Sequence, residues 1–340
     1  MSALPSAAEL LASAHVVRLP LVTRFRGVTE REVVLLSGPA GWGEFGPFVE
    51  YPPPVAARWL AAAVEAGWSG WPAGSRTSVP VNAIVPAVDP AEAADLVRSS
   101  GGCRTAKVKV AEPGQSLDQD LARVAAVRAA LDADEADGPP GLVRVDANGA
   151  WTVAQAAAAL PELVGAAGGH GRLEFAEQPC STLAEMAALR RLVDVALAVD
   201  EGLRTADDPA QVAGLREAAD VLVVKVCPLG GVRPALALAR RYGLPVVVSS
   251  ALDSSVGLAG GAALAAALAD LPYACGLGSG RLLGADVVAA SERLLPVQGR
   301  LAVHRPVPDP DLLSQLAAPP DRQRWWRSRL AAAYEIMAAR

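Results

Sequence analysis

Of the 31 basic residues in this 340-residue chain, only Lys107, Lys109 and Lys225 are lysines. A bias towards arginine has no functional meaning by itself, but a lysine retained under it suggests a position where arginine would fail. A guanidinium stays protonated, whereas a lysine amine can lose its proton once burial or a nearby cation lowers its pKa. Lys107 and Lys109 stand two apart in Ala106-Lys-Val-Lys-Val110. On a strand that spacing puts both on one face, leaving Val108 and Val110 for the other. Confined inside a barrel, the two cations should depress each other's pKa and help make a neutral base. The alternative is a solvated edge pair, which strands buried on both faces would not allow.

Three acids supply the complementary charge. Asp146, Glu177 and Asp200 each end an apolar strand pattern: Val143-Arg-Val-Asp146, Leu173-Glu-Phe-Ala-Glu177 and Ala196-Leu-Ala-Val-Asp200. They recur at one strand–helix unit each, so they should sit side by side. Any one alone could simply cap the next helix. Together, three hard oxygen ligands with open positions suit Mg²⁺, with Mn²⁺ as a substitute. Asp200 is chosen over Glu201 because the other two acids also follow their strands directly. Lys225 ends Val221-Leu-Val-Val-Lys225 and should lie across the barrel from Lys109, unless it only pairs with Asp200 or Glu201. A metal flanked by two lysines supports removal of an α-proton from a carboxylate substrate and stabilisation of the resulting enediolate.

The elements that would position these residues follow from the pattern. Residues 15–19 and 32–36 read as strands and 54–66 as a helix, an α+β capping unit within 1–78, with 68–77 as its linker. From 79 onward strand-like runs alternate with helical stretches such as 117–131 and 233–241. The runs are 79–85, 105–110, 142–146, 173–177, 195–200, 221–226, 245–249 and 273–277. Eight units predict an α/β fold with a (β/α)₈ TIM barrel over 79–300. No GxGxxG follows the first strand, which argues against a dinucleotide-binding open sheet. The segment 301–340, with Trp325 and Trp326 on a last helix, is expected to pack on the capping unit.

With 52% hydrophobic and 20% charged residues the chain can fill a large core. A net charge of −5 argues against a nucleic-acid or anionic-membrane surface and for a small-molecule partner. Cys103, Cys180, Cys227 and Cys275 lack CxxC spacing and read as reduced and buried, as in a cytoplasmic protein. The start of the chain lacks a basic n-region, so no secretory signal is expected. His15, His170 and His304 form no metal-binding pattern. The sequence leaves the oligomeric state open and is compatible with a monomer.

Lys107-Val-Lys109, Asp146-Ala-Asn148, Glu177-Gln-Pro179, Asp200-Glu201 and Lys225 together resemble the enolase superfamily, in its muconate-lactonizing subgroup. Gly41-Trp-Gly-Glu44 extends the resemblance into the capping unit. The superfamily's lysine base and metal-stabilised enediolate are a known pattern. Within the subgroup, Arg144-Val-Asp-Ala-Asn-Gly-Ala-Trp151, Phe175-Ala-Glu-Gln-Pro-Cys180, Ser249-Ser-Ala-Leu-Asp-Ser-Ser-Val-Gly257 and Ala274-Cys-Gly-Leu-Gly-Ser-Gly280 look most like the o-succinylbenzoate synthase family. That resemblance implies an enolase-type barrel and a syn-dehydration in menaquinone biosynthesis. It implies Lys109 as base and then acid, Lys225 as the opposing cation, and Lys107 as a carboxylate-binding modulator of Lys109. Asp146, Glu177 and Asp200 would hold the metal, with Asn148 and Glu201 behind them and Arg144 as an electrostatic partner. Ser249, Ser250, Gly276 and Gly278 would meet a succinyl tail. Capping loops near 23–27 and 46–51 would close the site, with Phe48 against the substrate ring. Two lysines on opposite faces would also suit an N-succinyl or N-acylamino acid racemase or another enzyme of the subgroup. A non-catalytic binding barrel is the remaining alternative.

Overall fold

The computed structural model describes residues 4–25, 27–133 and 140–339. Ser6 and Glu9 cap each other reciprocally and start α1 (Ala7–Ala12). Strands β1 (Ala14–Phe25), β2 (Val28–Gly38) and β3 (Gly41–Phe45) form an antiparallel sheet in that order. Four successive apolar residues of β2, Val33 to Leu36, are all buried, so both faces of this sheet are covered. Val34 and Leu36 join Val16, Phe45, Trp59 and Trp326 in one cluster, while Val33 and Leu35 join Leu19, Val256 and Val287 in another. One face therefore meets helices and the other meets the edge of the larger unit.

Helix α2 (Pro53–Val64) starts with proline at its first position, where no amide donor is needed, and widens into a π turn at Glu65–Ser69. It packs close enough to β3 that a Cβ on Gly43 would lie 2.1 Å from the Ala63 carbonyl oxygen. The order then runs β4 (Ser78–Pro80), β5 (Ala83–Val85), α3 (Pro90–Arg98), β6 (Thr105–Lys109), α4 (Leu117–Ala133), β7 (Leu142–Asp146), α5 (Val153–Ala166) and β8 (Leu173–Glu177). It continues through α6 (Leu183–Arg190), β9 (Leu197–Val199), α7 (Glu201–Arg204), α8 (Leu215–Ala218), β10 (Val221–Lys225), α9 (Val232–Tyr242), β11 (Val246–Ser249) and α10 (Ser255–Ala267). Last come β12 (Arg300–Ala302), α11 (Pro310–Gln315) and α12 (Pro320–Ala338).

Strands β5 to β11 form one seven-stranded parallel sheet in sequence order. The alternating side chains separate two layers. Val108, Val145, Leu222 and Val224 belong to the large cluster with the helices, while Phe175, Ala198, Val221, Val223 and Val247 form a small inner one. Lys107, Lys109, Arg144, Asp146, Glu177 and Lys225 share the parity of the inner set.

Two expected strands differ. The run 79–85 splits: β4 pairs antiparallel with β12, and only β5 enters the parallel sheet. Pro80 has no amide donor for a continuous ladder. The run 273–277 forms no strand and makes single parallel bridges, Ser249↔Gly276 and Val81↔Cys275. Gly276 approaches so closely that a Cβ there would lie 2.5 Å from Ser249 Oγ, and the chain then turns into a 3₁₀ helix at Gly278–Leu282. The four cysteines are free and buried. No described helix is long and apolar enough to cross a membrane.

The C-terminal helix docks on the N-terminal sheet, where Trp326 Nε1 and Arg322 both donate to Glu32. A second junction joins that sheet to the loop after β11. Glu44 and Asp253 are buried there beside Arg31, and Glu44 accepts from the amide and hydroxyl of Ser254. Burial, reinforced by Asp253, raises the Glu44 carboxyl from 4.5 to about 8, and burial raises Asp253 as well. Between those two pH values the folded state binds more protons than the unfolded state, so this junction loses stability as pH rises through the interval. The stability of Glu44→Gln relative to wild type should therefore increase from about pH 5 to about pH 9, read as urea midpoints. A pH-independent difference would show that Glu44 does not titrate in the folded protein.

Candidate active site

Parallel register brings the chemistry together. Lys109 is paired with Asp146 across β6 and β7, Asp146 with Glu177 across β7 and β8, and Lys225 with Ser249 across β10 and β11. Lys107, one inward-facing position deeper on β6, donates to both Glu177 oxygens at 2.9 and 3.0 Å and to Asp146 at 3.2 Å. Lys109 Nζ lies 3.6 Å from Asp146 Oδ2. Asp200 follows β9 directly and receives Lys225 Nζ at 2.5 Å and Arg204 Nε at 3.0 Å. The three carboxylates and Lys225 are buried.

These contacts set the protonation of the cluster. Burial opposes ionisation of Asp146 and Asp200, but the cations outweigh it: Lys109 and Lys107 for Asp146, Lys225 and Arg204 for Asp200. Both carboxyls lie below their usual range. Glu177 goes the other way, to about 7, because burial and the charges of Asp146 and Asp200 exceed the help from Lys107. Burial lowers the Lys225 pKa, with Asp200 opposing it. Lys107 corrects an expectation. Burial disfavours its charge, but Glu177 and Asp146 dominate and raise its pKa, so repulsion from Lys109 does not govern it.

A cavity opens on this row. It is lined by Lys107, Lys109, Asp146, Asn148 and Lys225, with Ser249, Ser250, Ile84, Leu252 and Ser279 among the others. Ser250 Oγ donates to the Gly276 carbonyl at 2.8 Å and meets Ser279 Oγ at 2.7 Å. Asn148 braces the row, its side chain donating to Glu201 at 3.1 Å and its backbone amide to Asp146 at 3.1 Å.

Other expected residues lie elsewhere. Arg144 shares a face with Asp146 but sits beneath the cavity, bonded to Glu174, Asn82 and the Ala274 carbonyl and stacked on Phe175 at 4.6 Å. Phe48 is buried against Tyr51, Trp59 and Arg31 and does not line the cavity. The Gly276 amide is committed to the Val248 carbonyl, so it is not a donor to the cavity. Gly278 is packed against the Asn82 carbonyl. Of the 23–27 loop, residue 26 lies outside the described residues.

Two residues that sequence reasoning did not single out hold the acids in place. Gln178 adopts φ 41°, and its fully buried amide oxygen accepts from the amides of Asp200 and Gly202 at 3.0 and 3.1 Å. Its amide nitrogen donates to the Cys180 carbonyl at 2.9 Å. Arg204 spans Asp200, Glu201 and Tyr51. The Glu-Gln-Pro run contained the first signal, but nothing local distinguishes Arg204 from the other arginines.

As placed, the acids face ammonium groups, and among the described residues no three His, Cys, Asp or Glu side chains are gathered about one point for a metal. The donor set nevertheless fits a hard divalent cation. It has three buried carboxylates on neighbouring strands, and burial together with the charges of Asp146 and Asp200 holds Glu177 high.

Comparison with known proteins agrees with the geometry. The family model for enolase C-terminal domain-like proteins matches residues 89–308, and that for enolase N-terminal domain-like proteins matches 16–67. A protein of Mycobacterium leprae described as o-succinylbenzoate synthase is 51% identical over 98% of this chain and 95% of its own. The chain belongs to the o-succinylbenzoate synthase family of the enolase superfamily. A Mycobacterium marinum protein of the same description is also 51% identical, over 98% of this chain and 96% of its own. Enzymes of the superfamily use a divalent metal. Two solved structures share the fold. A muconate lactonizing enzyme from Pseudomonas fluorescens has a TM-score of 0.72 at 21% identity, covering 90% of this chain and 98% of that one. An N-succinyl Arg/Lys racemase from Bacillus cereus has 0.69 at 20%, covering 90% and 97%.

Replacing Gln178 by Leu should leave the Asp200 and Gly202 amides unpaired, at about 1–3 kcal/mol each. Thermal denaturation should show that loss, together with reduced turnover as Asp200 moves. Wild-type stability and turnover would mean that the Gln178 bridge positions nothing.

Proposed function

We infer that the protein dehydrates 2-succinyl-6-hydroxy-2,4-cyclohexadiene-1-carboxylate to 2-succinylbenzoate, in menaquinone biosynthesis. The 51% identity to o-succinylbenzoate synthases over nearly the whole chain carries the reading. The row of Lys109, Asp146 and Glu177, with Lys225 on the same cavity, supports the mechanism.

Asp146, Glu177 and Asp200 would hold Mg²⁺, which supplies positive charge to the oxygens of the substrate carboxylate when bound. Lys109, as the neutral amine, takes the proton from the carbon bearing that carboxylate. Lys225, as a cation, balances the charge that develops on the carboxylate oxygens. The ammonium of Lys109 then gives its proton to the departing hydroxyl on the same face. One carbon–hydrogen and one carbon–oxygen bond break, water leaves, and the ring becomes aromatic. Lys107, held cationic by Glu177 and Asp146, adds positive charge beside Lys109. Ser249 and Ser250 line the cavity where the succinyl tail would rest.

The same reading extends to the fold. Residues 1–78 form the capping domain, completed by 301–340, and 79–300 form an enolase-type TIM barrel, with the bridges at Cys275 and Gly276 supporting its closure. It takes the enzyme to be cytoplasmic.

Lys109→Arg keeps charge but loses the titratable amine, and turnover should fall by about 10²–10⁴-fold in a spectrophotometric dehydration assay. Near-normal turnover would remove Lys109 from the role of base. In a separate test, chelation should abolish dehydration and added Mg²⁺ should restore it, while an undiminished rate after chelation would refute the metal site. N-succinyl amino acids assayed on the same preparation decide between dehydration and racemisation: a dominant racemase rate would displace the proposed reaction.

A further inference from the structure

The wall of the cavity is built partly by Leu252, whose backbone has φ 61°, a left-handed conformation that a leucine rarely adopts. Such a conformation persists only when its surroundings hold it. The contacts that do so reach outside the parallel sheet. On one side, Ala251 donates its amide to Asp253 Oδ2 at 3.0 Å, and Ser254 donates its amide to Glu44 at 3.1 Å. On the other, Arg31 Nε donates to the Leu252 carbonyl at 3.4 Å, and Arg31 Nη2 donates to the Gly46 carbonyl. Arg31 and Glu44 belong to β2 and β3 of the N-terminal sheet. Arg31 is 4% exposed, and its guanidinium carbon lies 4.4 Å from the centre of the Phe48 ring. Glu44 and Asp253 are its acidic neighbours, and each has one buried oxygen without a hydrogen-bond partner.

We propose that Arg31 is a positioning residue for the cavity, fixing the loop after β11 so that Leu252 walls the substrate while Ser249 and Ser250 face it. The fork does two things that a simple cation could not. It ties two carbonyls from different units, Leu252 and Gly46, to one rigid plane. It also places positive charge beside two buried carboxylates that would otherwise face each other without compensation. The N-terminal sheet thereby shapes the substrate wall without touching substrate. The proposal rests on the reading of this cavity as the dehydration site.

The test separates positioning from charge balance. Arg31→Lys keeps the charge and loses the fork. The triple variant Arg31→Met, Glu44→Gln, Asp253→Asn removes the buried charges together and leaves amide oxygens where Ala251 and Ser254 need acceptors. Both should fold, as judged by circular dichroism and urea denaturation. Both should lose about 10²-fold in kcat/KM for dehydration, with KM carrying more of the change than kcat. A triple variant with wild-type stability and wild-type kinetics would overturn the proposal, since Arg31 would then only balance charge. Should the triple variant fail to fold, Arg31→Lys decides alone, and unchanged KM and kcat would overturn it. Lys109→Met, assayed beside them, keeps the outcomes distinct. If it retains turnover, the dehydration site itself is misassigned, whereas turnover lost there but unchanged in the Arg31 variants defeats only the positioning role.

Discussion

Charge balance among groups removed from water is the constraint on which this structure depends. Three lysines and three carboxylates meet at the strand ends, and a buried ion is tolerable only when its partners are close and well oriented. Lys107 answers Glu177 and Asp146, while Lys225 and Arg204 answer Asp200. The balance is incomplete at Glu177, whose proton is held well above the usual carboxylate range. Burial, with the charges of Asp146 and Asp200, holds it there, and a divalent cation among these oxygens would offset both.

The row exists because the sheet is parallel and in register. Lys109, Asp146 and Glu177 are paired residues on successive strands, so a slip of one residue on β7 would turn Asp146 towards the helices and bring Val145 inward. The helices contribute by anchoring register: Val108, Val145, Leu222 and Val224 pack outward beneath them, which sends the intervening side chains inward. Stability and function are thus written into alternate positions of the same strands.

The N-terminal sheet completes the arrangement from outside. Its residues are buried on both faces, so it cannot be an independent lid resting on the larger unit. Arg31 and Glu44 reach from it to the loop after β11. The loop after β11, with Ser250 and Leu252, therefore takes its conformation from two units that are distant in sequence.

Much of the site was legible in the sequence because it is carried by period and spacing. Two lysines two residues apart on a strand must share a face, and three acids at successive strand ends must be neighbours in a parallel sheet. Seven of the eight runs expected as strands join the parallel sheet, and the lysines and acids that such local rules pick out lie together at its strand ends. Tertiary structure decided what depends on depth and on long-range partners. Arg144 obeys the same parity as Asp146 yet is spent on Glu174 below the cavity, because strand periodicity gives a side chain's face and not its height, and Phe48, in a loop, packs into the core of the N-terminal unit. The Lys107 pKa moves opposite to the expectation because its carboxylates come from strands that only folding brings within 3.2 Å. The eighth strand reduces to two bridges because glycine lets backbones approach more closely than a regular ladder. Residue type and spacing determined which groups this protein would gather. Packing determined which of them face substrate, since only packing sets which charge lies beside which.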